Sequence, residues 1–143
     1  MRISAKGEYA LKAMLDLSLQ PPRRIVSIQE IAARQGIPQR YLEQVLQALK
    51  RGGLVASRRG AAGGYQLARA PEDVTAGDVL RAVEGAHAPF EARDAGRGSK
   101  RDDLGDLWEE IGRAVSEVVD RLSVGALAER ARARSGAQPM YHI

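Results

Sequence analysis

The sequence contains no cysteine. Without thiols the chain has no disulfide framework, and it has no thiolate ligands for zinc or an iron–sulfur cluster. Aromatic residues make up only 4% of the chain, so its core must rely on Leu, Val, Ile and Ala. No apolar run approaches the roughly 20 residues of a membrane-spanning helix, and the N-terminus lacks the apolar centre of a signal peptide. We therefore expect a cytoplasmic protein with no membrane partner.

Residue patterns that support catalysis are also scarce. The only two histidines are His87 and His142, and neither falls in a Ser/His/Asp spacing or beside paired carboxylates. Residues 60–64 are rich in glycine, but a strand follows them and the Gly-Lys-Ser/Thr ending of a phosphate-binding loop is missing. Residues 98–100 (GSK) lie in a polar stretch that is typical of a linker. The sequence does not predict an enzyme.

Positive charge is concentrated in the first half of the chain. The net charge is +4 overall, and residues 1–60 carry 11 Lys/Arg against 4 Asp/Glu. The remaining 83 residues are slightly acidic, with 11 Lys/Arg against 14 Asp/Glu. A basic excess confined to one region is the electrostatic footprint of a phosphate-binding face. A solvated basic surface is the alternative, and counting alone does not decide between the two.

Residues 27–67 predict a helix–turn–helix followed by a hairpin. Ser27 is a typical helix cap, and Gly36 suits the left-handed residue that ends a first helix carrying Ile28, Ile31 and Ala32 on one face. Pro38 suits the first turn of the second helix. The apolar residues of that second helix recur at the spacing of one buried helical stripe. They are Leu42, Val45, Leu46 and Leu49.

The polar face of the second helix is typical of one that reads DNA bases. Its side chains can donate to or accept from base edges in a major groove. These outward residues are Gln39, Arg40, Glu43, Gln44, Gln47 and Lys50. Gly52 and Gly53 stop the helix, and residues 54–58 and 65–67 read as strands. Residues 59–64 between them form a small, basic tip, which we interpret as the wing of a winged helix-turn-helix.

The residues before this motif predict a first helix over residues 1–20. Ser4 is its cap, and Arg2 and Lys6 lie near its N-terminus, where the helix dipole favours an anion such as a phosphate. Solvated surface charges are the alternative for these two residues. Residues 25–26 suit a short strand against the wing. The buried stripe of the first helix is Ala10, Ala13, Met14 and Leu17.

After the wing, residues 70–73 read as a turn. Thr75 caps a helix that has Asp78 three residues on and that ends at Gly85. Residues 86–103 have no apolar periodicity and predict a mobile loop. The apolar residues of the helix after Thr75 are Val79, Leu80 and Val83.

A near-heptad apolar seam follows, and such seams typically pair helices. A helix this long in a small chain indicates a dimer interface. Its residues are Leu104, Leu107, Trp108, Ile111, Val115, Val118 and Leu122, with Val119 widening the stripe. Ser123 caps a last short helix that carries Leu127. The predicted fold is mainly α with a small β-wing, and the predicted divisions are a DNA-binding domain (1–85), a mobile loop (86–103) and a dimerisation helix with tail (104–143).

Several blocks together resemble the Rrf-two family of winged-helix regulators. They are MRISAKGEYALKAMLDL, IAARQGIPQRYLEQVLQALKRGGLV, SRRGAAGGYQLA and VTAGDVLRAVEG, and they cover residues 1–85 densely. The resemblance implies a homodimer that binds double-stranded DNA at an imperfect palindrome, with the second helix in the major groove and the wing in the minor groove. It implies a transcriptional regulator, and we expect a repressor.

The resemblance also implies roles for individual residues. Gln39, Arg40, Glu43 and Gln44 correspond to the base readers. Tyr41 would contact the backbone, and Arg59 would enter the minor groove, where a narrow groove concentrates negative potential. The alternative for Glu43 is an intrahelical pair with Arg40 or Gln47. The full set expected to touch DNA is Arg2, Lys6, Ser27, Gln39, Arg40, Tyr41, Glu43, Gln44, Gln47, Arg58, Arg59, Gly60, Gly63, Gly64 and Tyr65.

One departure from the family pattern concerns the sensing loop. Cluster-binding members carry three cysteines there, and this chain has none, so we expect no cofactor. In this respect it resembles the branch of the cysteine-metabolism repressor, which responds through a cysteine-synthesis enzyme as its partner. A regulator that senses a ligand or a metal is the alternative, with His87 and the carboxylates Glu91, Asp94, Asp102 and Asp103 as its ligands. A helical interaction module without DNA is a further alternative.

Overall fold

The computed structural model describes residues 3–85 and 103–137. Within these ranges it has six helices and one two-stranded antiparallel sheet, which confirms the predicted mainly helical fold with a β-wing. A single 3-10 turn over Pro71–Asp73 precedes the fourth helix. The elements are α1 (Ala5–Leu19), α2 (Ile28–Gln35), α3 (Gln39–Arg51), β1 (Val55–Arg58), β2 (Gly64–Leu67), α4 (Ala76–Glu84), α5 (Gly105–Arg121) and α6 (Val124–Ala137).

The hydrophobic core lies where α1, α3 and α4 pack together. The predicted apolar stripes of these three helices are confirmed, since every member is buried. Because the aromatic content is low, the core is built almost wholly from aliphatic side chains. The buried stripe residues are Ala10, Ala13, Met14 and Leu17 of α1, Leu42, Val45, Leu46 and Leu49 of α3, and Val79, Leu80 and Val83 of α4.

The helix–turn–helix forms at the predicted residues. Ser27 caps α2, because its Oγ accepts the backbone N–H of Glu30 at 3.2 Å. Gly36 ends α2 with φ 64°, a left-handed conformation that glycine adopts without steric cost. Pro38 sits at the cap position of α3, one residue earlier than predicted. The short turn between Gly36 and Pro38 therefore sets the angle between the axes of α2 and α3.

The wing consists of two four-residue strands, β1 and β2, and the segment that contains Val26 lies against β2. Val55 pairs with Leu67 and Arg58 with Gly64. Val26 and Tyr65 exchange two backbone hydrogen bonds of 2.8 Å, which confirms the predicted short strand as a single bridge. A Cβ on Gly64 would overlap the Val26 carbonyl oxygen, so this close approach requires glycine. The wing is thereby tied to the segment that precedes α2.

Helix α5 is joined to the start of α4. Thr75 and Asp78 form the predicted capping box of α4. Arg81 donates two hydrogen bonds of 2.8 Å to Asp120 of α5, and this hydrogen-bonded guanidinium holds the pKa of the Asp120 carboxyl below its usual range. The backbone N–H of Ala76 also donates to the Leu122 carbonyl at 2.8 Å. The C-terminal end of α5 is therefore fixed to α4.

Helix α6 is longer than predicted, with 14 residues where the sequence indicated a short helix. The predicted cap is present, since Ser123 Oγ accepts the N–H of Ala126 at 2.9 Å. Val124 and Ala128 are buried, and Arg132 donates to the Ser18 carbonyl of α1 at 3.1 Å. Alanine in place of larger apolar residues weakened the sequence signal, so the packing of α6 on α1 was missed. None of the described helices is both long enough and apolar enough to span a bilayer.

Candidate nucleic-acid interface

Helix α3 presents one polar face to solvent. Every side chain predicted to point outward is exposed, while the opposite face is buried in the core. An exposed polar helix that follows a tight turn has the geometry of a recognition helix, which enters the major groove. The exposed residues are Gln39, Arg40, Glu43, Gln44, Gln47 and Lys50.

A concave surface of about 390 Å³ lies between α1 and this face of α3. It brings Lys6 of α1 together with the three predicted readers Glu43, Gln44 and Gln47. Arg51 completes the lining, and the sequence prediction omitted it. Its signal was present, since Arg51 follows Gln47 by four residues and Glu43 by eight, which places all three on one side of a helix.

Glu43 has no hydrogen-bond or ion-pair partner among residues 3–85 and 103–137. In the described chain, no ion pair or hydrogen bond joins it to Arg40 or Gln47, so the alternative of an intrahelical pair is not supported. Its carboxylate lies exposed in the concave surface beside Lys6 and Arg51. An unpaired acceptor at this position is suited to the amino group of cytosine, and it repels phosphate elsewhere.

Some cations of the described residues are neutralised by carboxylates, and others are not. Lys12, Arg24, Arg34, Arg81 and Arg132 each form an ion pair with a carboxylate. A second group, around α3 and the wing, forms no ion pair within the described residues. Unneutralised cations clustered on one side attract a polyanion. This second group is Lys6, Arg40, Lys50, Arg51, Arg58 and Arg59.

The wing tip is a tight, exposed turn. Arg58, Arg59 and Gly60 are exposed, and the Gly63 N–H donates to the Gly60 carbonyl at 2.9 Å. A Cβ on Gly63 would overlap the Arg58 carbonyl oxygen, as one on Gly64 would overlap Val26. Internal packing is thus sufficient reason for glycine at 63 and 64, whether or not these two residues also touch DNA as predicted. Arg58 and Arg59 make no ion pair with any described residue and are exposed, so they can reach a ligand.

Two tyrosines differ in how they border this surface. Tyr41 is 57% exposed, and its ring centroid lies 6.5 Å from that of Tyr9 on α1. Tyr65 is half-buried against the core, where its backbone pairs with Val26. Ser27, also among the predicted DNA contacts, is half-buried and uses its hydroxyl as the α2 cap. Tyr41 is therefore the most accessible of these three residues.

The N-terminus of α1 already holds an internal carboxylate. Ser4 Oγ accepts the Gly7 N–H at 3.1 Å and donates to Glu84 Oε1 of α4. The other oxygen, Glu84 Oε2, is buried and has no hydrogen-bond partner. The predicted anion position is thus occupied by Glu84, so a phosphate contact here depends on the exposed Lys6 side chain. Arg2 lies outside the described residues.

The apolar seam of α5 divides into a covered and an open part. Val115 and Val119 pack against Leu80 of α4. The remainder leaves large apolar side chains in solvent, which a soluble monomer rarely does over a contiguous surface. The open residues are Leu104, Leu107, Trp108 and Val118, which are 44–52% exposed, while Ile111 and Leu122 are half-buried.

These features together define a winged helix-turn-helix DNA-binding protein. A recognition helix with a polar exposed face follows a tight turn, a basic hairpin follows the helix, and unpaired cations surround both. Comparisons with known proteins also indicate a DNA-binding transcriptional regulator. A family described as "Rrf2: Iron-dependent Transcriptional regulator" matches residues 3–130.

Individual relatives cover nearly the whole chain. The HTH-type transcriptional regulator CymR of Bacillus subtilis (strain 168) is 39% identical over 128 residues, which are 90% of this chain and 90% of that protein. IscR of Aliivibrio salmonicida is 36% identical and covers 89% of this chain and 77% of its own length. The structure of B. subtilis CymR, the global cysteine regulator, superposes with a TM-score of 0.77 at 34% identity, covering 91% of this chain and 98% of that one. The chain belongs to the Rrf2 family of DNA-binding transcriptional regulators.

The iron dependence in the family description does not fit the donor set of this chain. Iron–sulfur clusters are held mainly by cysteine thiolates, and the sequence has no cysteine. Across residues 3–85 and 103–137, no three His, Asp or Glu side chains gather as metal ligands. Of the alternative metal ligands, Asp103 is described and exposed, and the others (His87, Glu91, Asp94 and Asp102) lie outside the described residues. The residues present therefore do not fit an iron–sulfur centre.

Proposed function

We propose that the protein is a homodimeric repressor that binds a palindromic operator. Each protomer would place α3 in the major groove and the wing in the adjacent minor groove. The unpaired cations around α3 and the wing carry this proposal, because the arginines and lysines elsewhere on the DNA-binding domain are largely neutralised by carboxylates. Phosphate contacts position such a protein on DNA, and base contacts specify the sequence.

The open apolar face of α5 supports the homodimer. Trp108 is 50% exposed and Leu107 is 45% exposed on a helix whose other end is fixed to α4. Burying these side chains against a second copy would remove apolar surface from water, at about 25 cal/mol for each Å². A two-fold dimer also matches a palindromic site, in which each half-site meets one recognition helix.

Likeness to CymR supports cysteine and sulfur metabolism as the regulated pathway. That relative is described as the global cysteine regulator of its organism. We propose a cysteine-synthesis enzyme as the regulatory partner, a cytoplasmic location and no enzymatic activity. Genome-wide mapping of bound DNA tests this assignment. Enrichment of sulfur-assimilation genes supports it, and enrichment of iron or nitrogen-oxide genes without them contradicts it.

Arg59→Ala is expected to weaken binding mainly at operators with A·T-rich flanks, by about 1–3 kcal/mol. The reason is that a narrow, A·T-rich minor groove concentrates negative potential where the wing arginine would enter. Fluorescence anisotropy with matched A·T-flanked and G·C-flanked duplexes measures the difference. Arg69→Ala is the control, since Arg69 donates to the Asp73 carbonyl away from the wing tip. Equal loss on both duplexes would make Arg59 a simple phosphate contact.

Glu43→Ala is expected to relax sequence discrimination more than it lowers affinity. The exposed, unpaired carboxylate would accept from cytosine at one position and repel other bases, so its removal admits wrong sequences. Selection of bound duplexes from a randomised half-site measures the preference at each position. Gln29→Ala, at an exposed residue of α2, is a control that leaves the preference unchanged. An unaltered preference in the Glu43 variant would refute its role as a filter.

A further inference from the structure

An aromatic pair joins α1 to the recognition helix at the edge of the proposed DNA interface. The ring centroids of Tyr9 on α1 and Tyr41 on α3 lie 6.5 Å apart, and the ring planes meet at 42°. Aromatic rings attract each other at centroid distances of about 4.5–7 Å when they are not stacked face to face. Tyr41 is among the residues expected to touch DNA, and Tyr9 is not.

The two rings differ in how firmly the fold holds them. Tyr9 is half-buried and packs against the hydrophobic core. Tyr41 lies in the first turn of α3 and is 57% exposed. Of the pair, Tyr9 is therefore the anchored member, and Tyr41 is the member that a ligand can reach.

Helix α1 holds Tyr9 in a fixed place beside α3. Lys6 precedes Tyr9 by three residues, so both lie on one side of α1, and Lys6 lines the concave surface together with the readers of α3. The N-terminus of α1 is fixed in turn, because Ser4 caps it and donates to Glu84 of α4. Gly7 leaves room for that carboxylate, since a Cβ there would lie 2.8 Å from Glu84 Oε1. This side of α1 is thus a firm support along α3.

An exposed side chain loses rotamer freedom when it binds a ligand, and that loss weakens the complex. A ring that already rests on a fixed neighbour has part of this freedom removed before binding. We propose that Tyr9 is a positioning residue, which holds the Tyr41 ring in the orientation from which its hydroxyl donates to a phosphate of the operator backbone. Tyr9 itself makes no contact with DNA. The inference rests on the proposed DNA interface and adds to it a residue that acts through another.

Three single variants separate positioning from direct contact. Tyr41→Phe removes the hydroxyl and keeps the ring, and we expect its affinity for operator DNA to fall about tenfold or more, because a hydrogen bond to a charged phosphate is lost. Tyr9→Leu removes the supporting ring, and we expect a loss of about three- to tenfold. Tyr9→Phe keeps that ring, so we expect its affinity to stay within about twofold of the original. A phosphate contact carries no base information, so the losses are expected to be equal on different operators.

The double variant Tyr9→Leu, Tyr41→Phe distinguishes positioning from a purely structural role. A positioning residue has nothing to position once the hydroxyl is gone. We therefore expect the double variant to bind as Tyr41→Phe does, within about twofold. If Tyr9 supported only the fold, the two losses of affinity would multiply, because independent effects add in free energy.

Fluorescence anisotropy measures these affinities, and the probe is the duplex that the unaltered protein selects from a randomised half-site. Circular dichroism verifies that each variant is folded. Tyr9→Met, which places a flexible apolar side chain at the same position, takes the place of Tyr9→Leu if the latter does not fold. Val83→Ala, at a buried residue of α4, is the control for lost core packing, and we expect its affinity for the duplex to be unchanged.

Multiplied losses in the double variant overturn the inference. A Tyr9→Phe variant as weak as Tyr9→Leu also overturns it, because the Tyr9 hydroxyl would then contact DNA itself. Full affinity in either Tyr9→Leu or Tyr41→Phe has the same consequence. In all of these cases the unaltered protein still binds DNA, so the proposed function stands. An unaltered protein that selects no duplex overturns the proposed function, and the inference with it.

Discussion

The double variant Leu107→Ser, Trp108→Ser is expected to be monomeric and to lose about 100-fold or more in affinity for a palindromic operator. Both side chains are about half exposed in the protomer, so the fold loses little when they are shortened. The dimer interface loses these two side chains from both protomers. Full burial of a large apolar side chain contributes about 1.5–3 kcal/mol to the free energy of association. In a dimer, the second recognition helix meets its half-site at a high effective concentration because the first is already bound. A monomer lacks this advantage.

Sedimentation and anisotropy on the same samples measure both effects. The matched control is Glu109→Ser with Arg113→Ser, two exposed residues on the opposite side of α5 whose replacement leaves the net charge unchanged. We expect this control to be dimeric and to bind like the original. If the Leu107/Trp108 variant remained dimeric with full affinity, the exposed face of α5 would not be the interface.

Arg34→Ala is expected to destabilise the protein by about 3 kcal/mol. Arg34 Nε and Nη2 donate to the two oxygens of Asp16 at 2.9 and 3.0 Å, and Asp16 is only 1% exposed. Removing one partner of a buried pair leaves an uncompensated charge, which typically costs 3–5 kcal/mol. The expected loss lies at the lower end of this range of unfolding free energies because the Arg34 side chain is 37% exposed. The hydrogen bonds that Arg34 donates to Asp16, and then to Glu30, raise the pKa of Arg34, which is consistent with strong pairing.

Urea unfolding measures this loss, with an unchanged slope indicating that the native state is still compact. Glu30→Ala is the control. Glu30 pairs with the same guanidinium at 2.9 Å, and that hydrogen bond lowers the Glu30 pKa, but both groups are exposed to solvent. Such surface pairs contribute at most about 1 kcal/mol. Equal destabilisation by the two variants would show that burial of Asp16 is not the source of the effect.

The local pattern of the sequence was sufficient to predict the helix–turn–helix. Caps, a left-handed glycine and stripes at helical spacing are all encoded within a few residues, so Ser27, Gly36 and Leu46 lie where they were expected. The position of each predicted reader on the exposed face of α3 follows from the same spacing. Roles at individual bases depend on a DNA sequence that the chain does not contain, and they stay predictions.

Features that depend on tertiary packing were not predictable in this way. Arg34 and Asp16 are 18 residues apart, and nothing local marks their pairing. Glu84 reaches Ser4 across 80 residues, so the carboxylate at the start of α1 was missed. Helix α6 buries Gly125 and Ala128 beside Val124, and small residues such as the first two give only a weak apolar signal. Arg51 was missed because the prediction ended the recognition face one residue too early.

The salt dependence of DNA binding tests the central claim most directly. If unpaired cations on two protomers neutralise six or more phosphates, affinity for duplex DNA falls by about 1,000-fold or more between roughly 50 and 200 mM salt. The plot of log affinity against log salt concentration would then be steep and linear. A nearly flat plot, or a folded dimer that binds no duplex at the lowest salt concentration, would contradict the account.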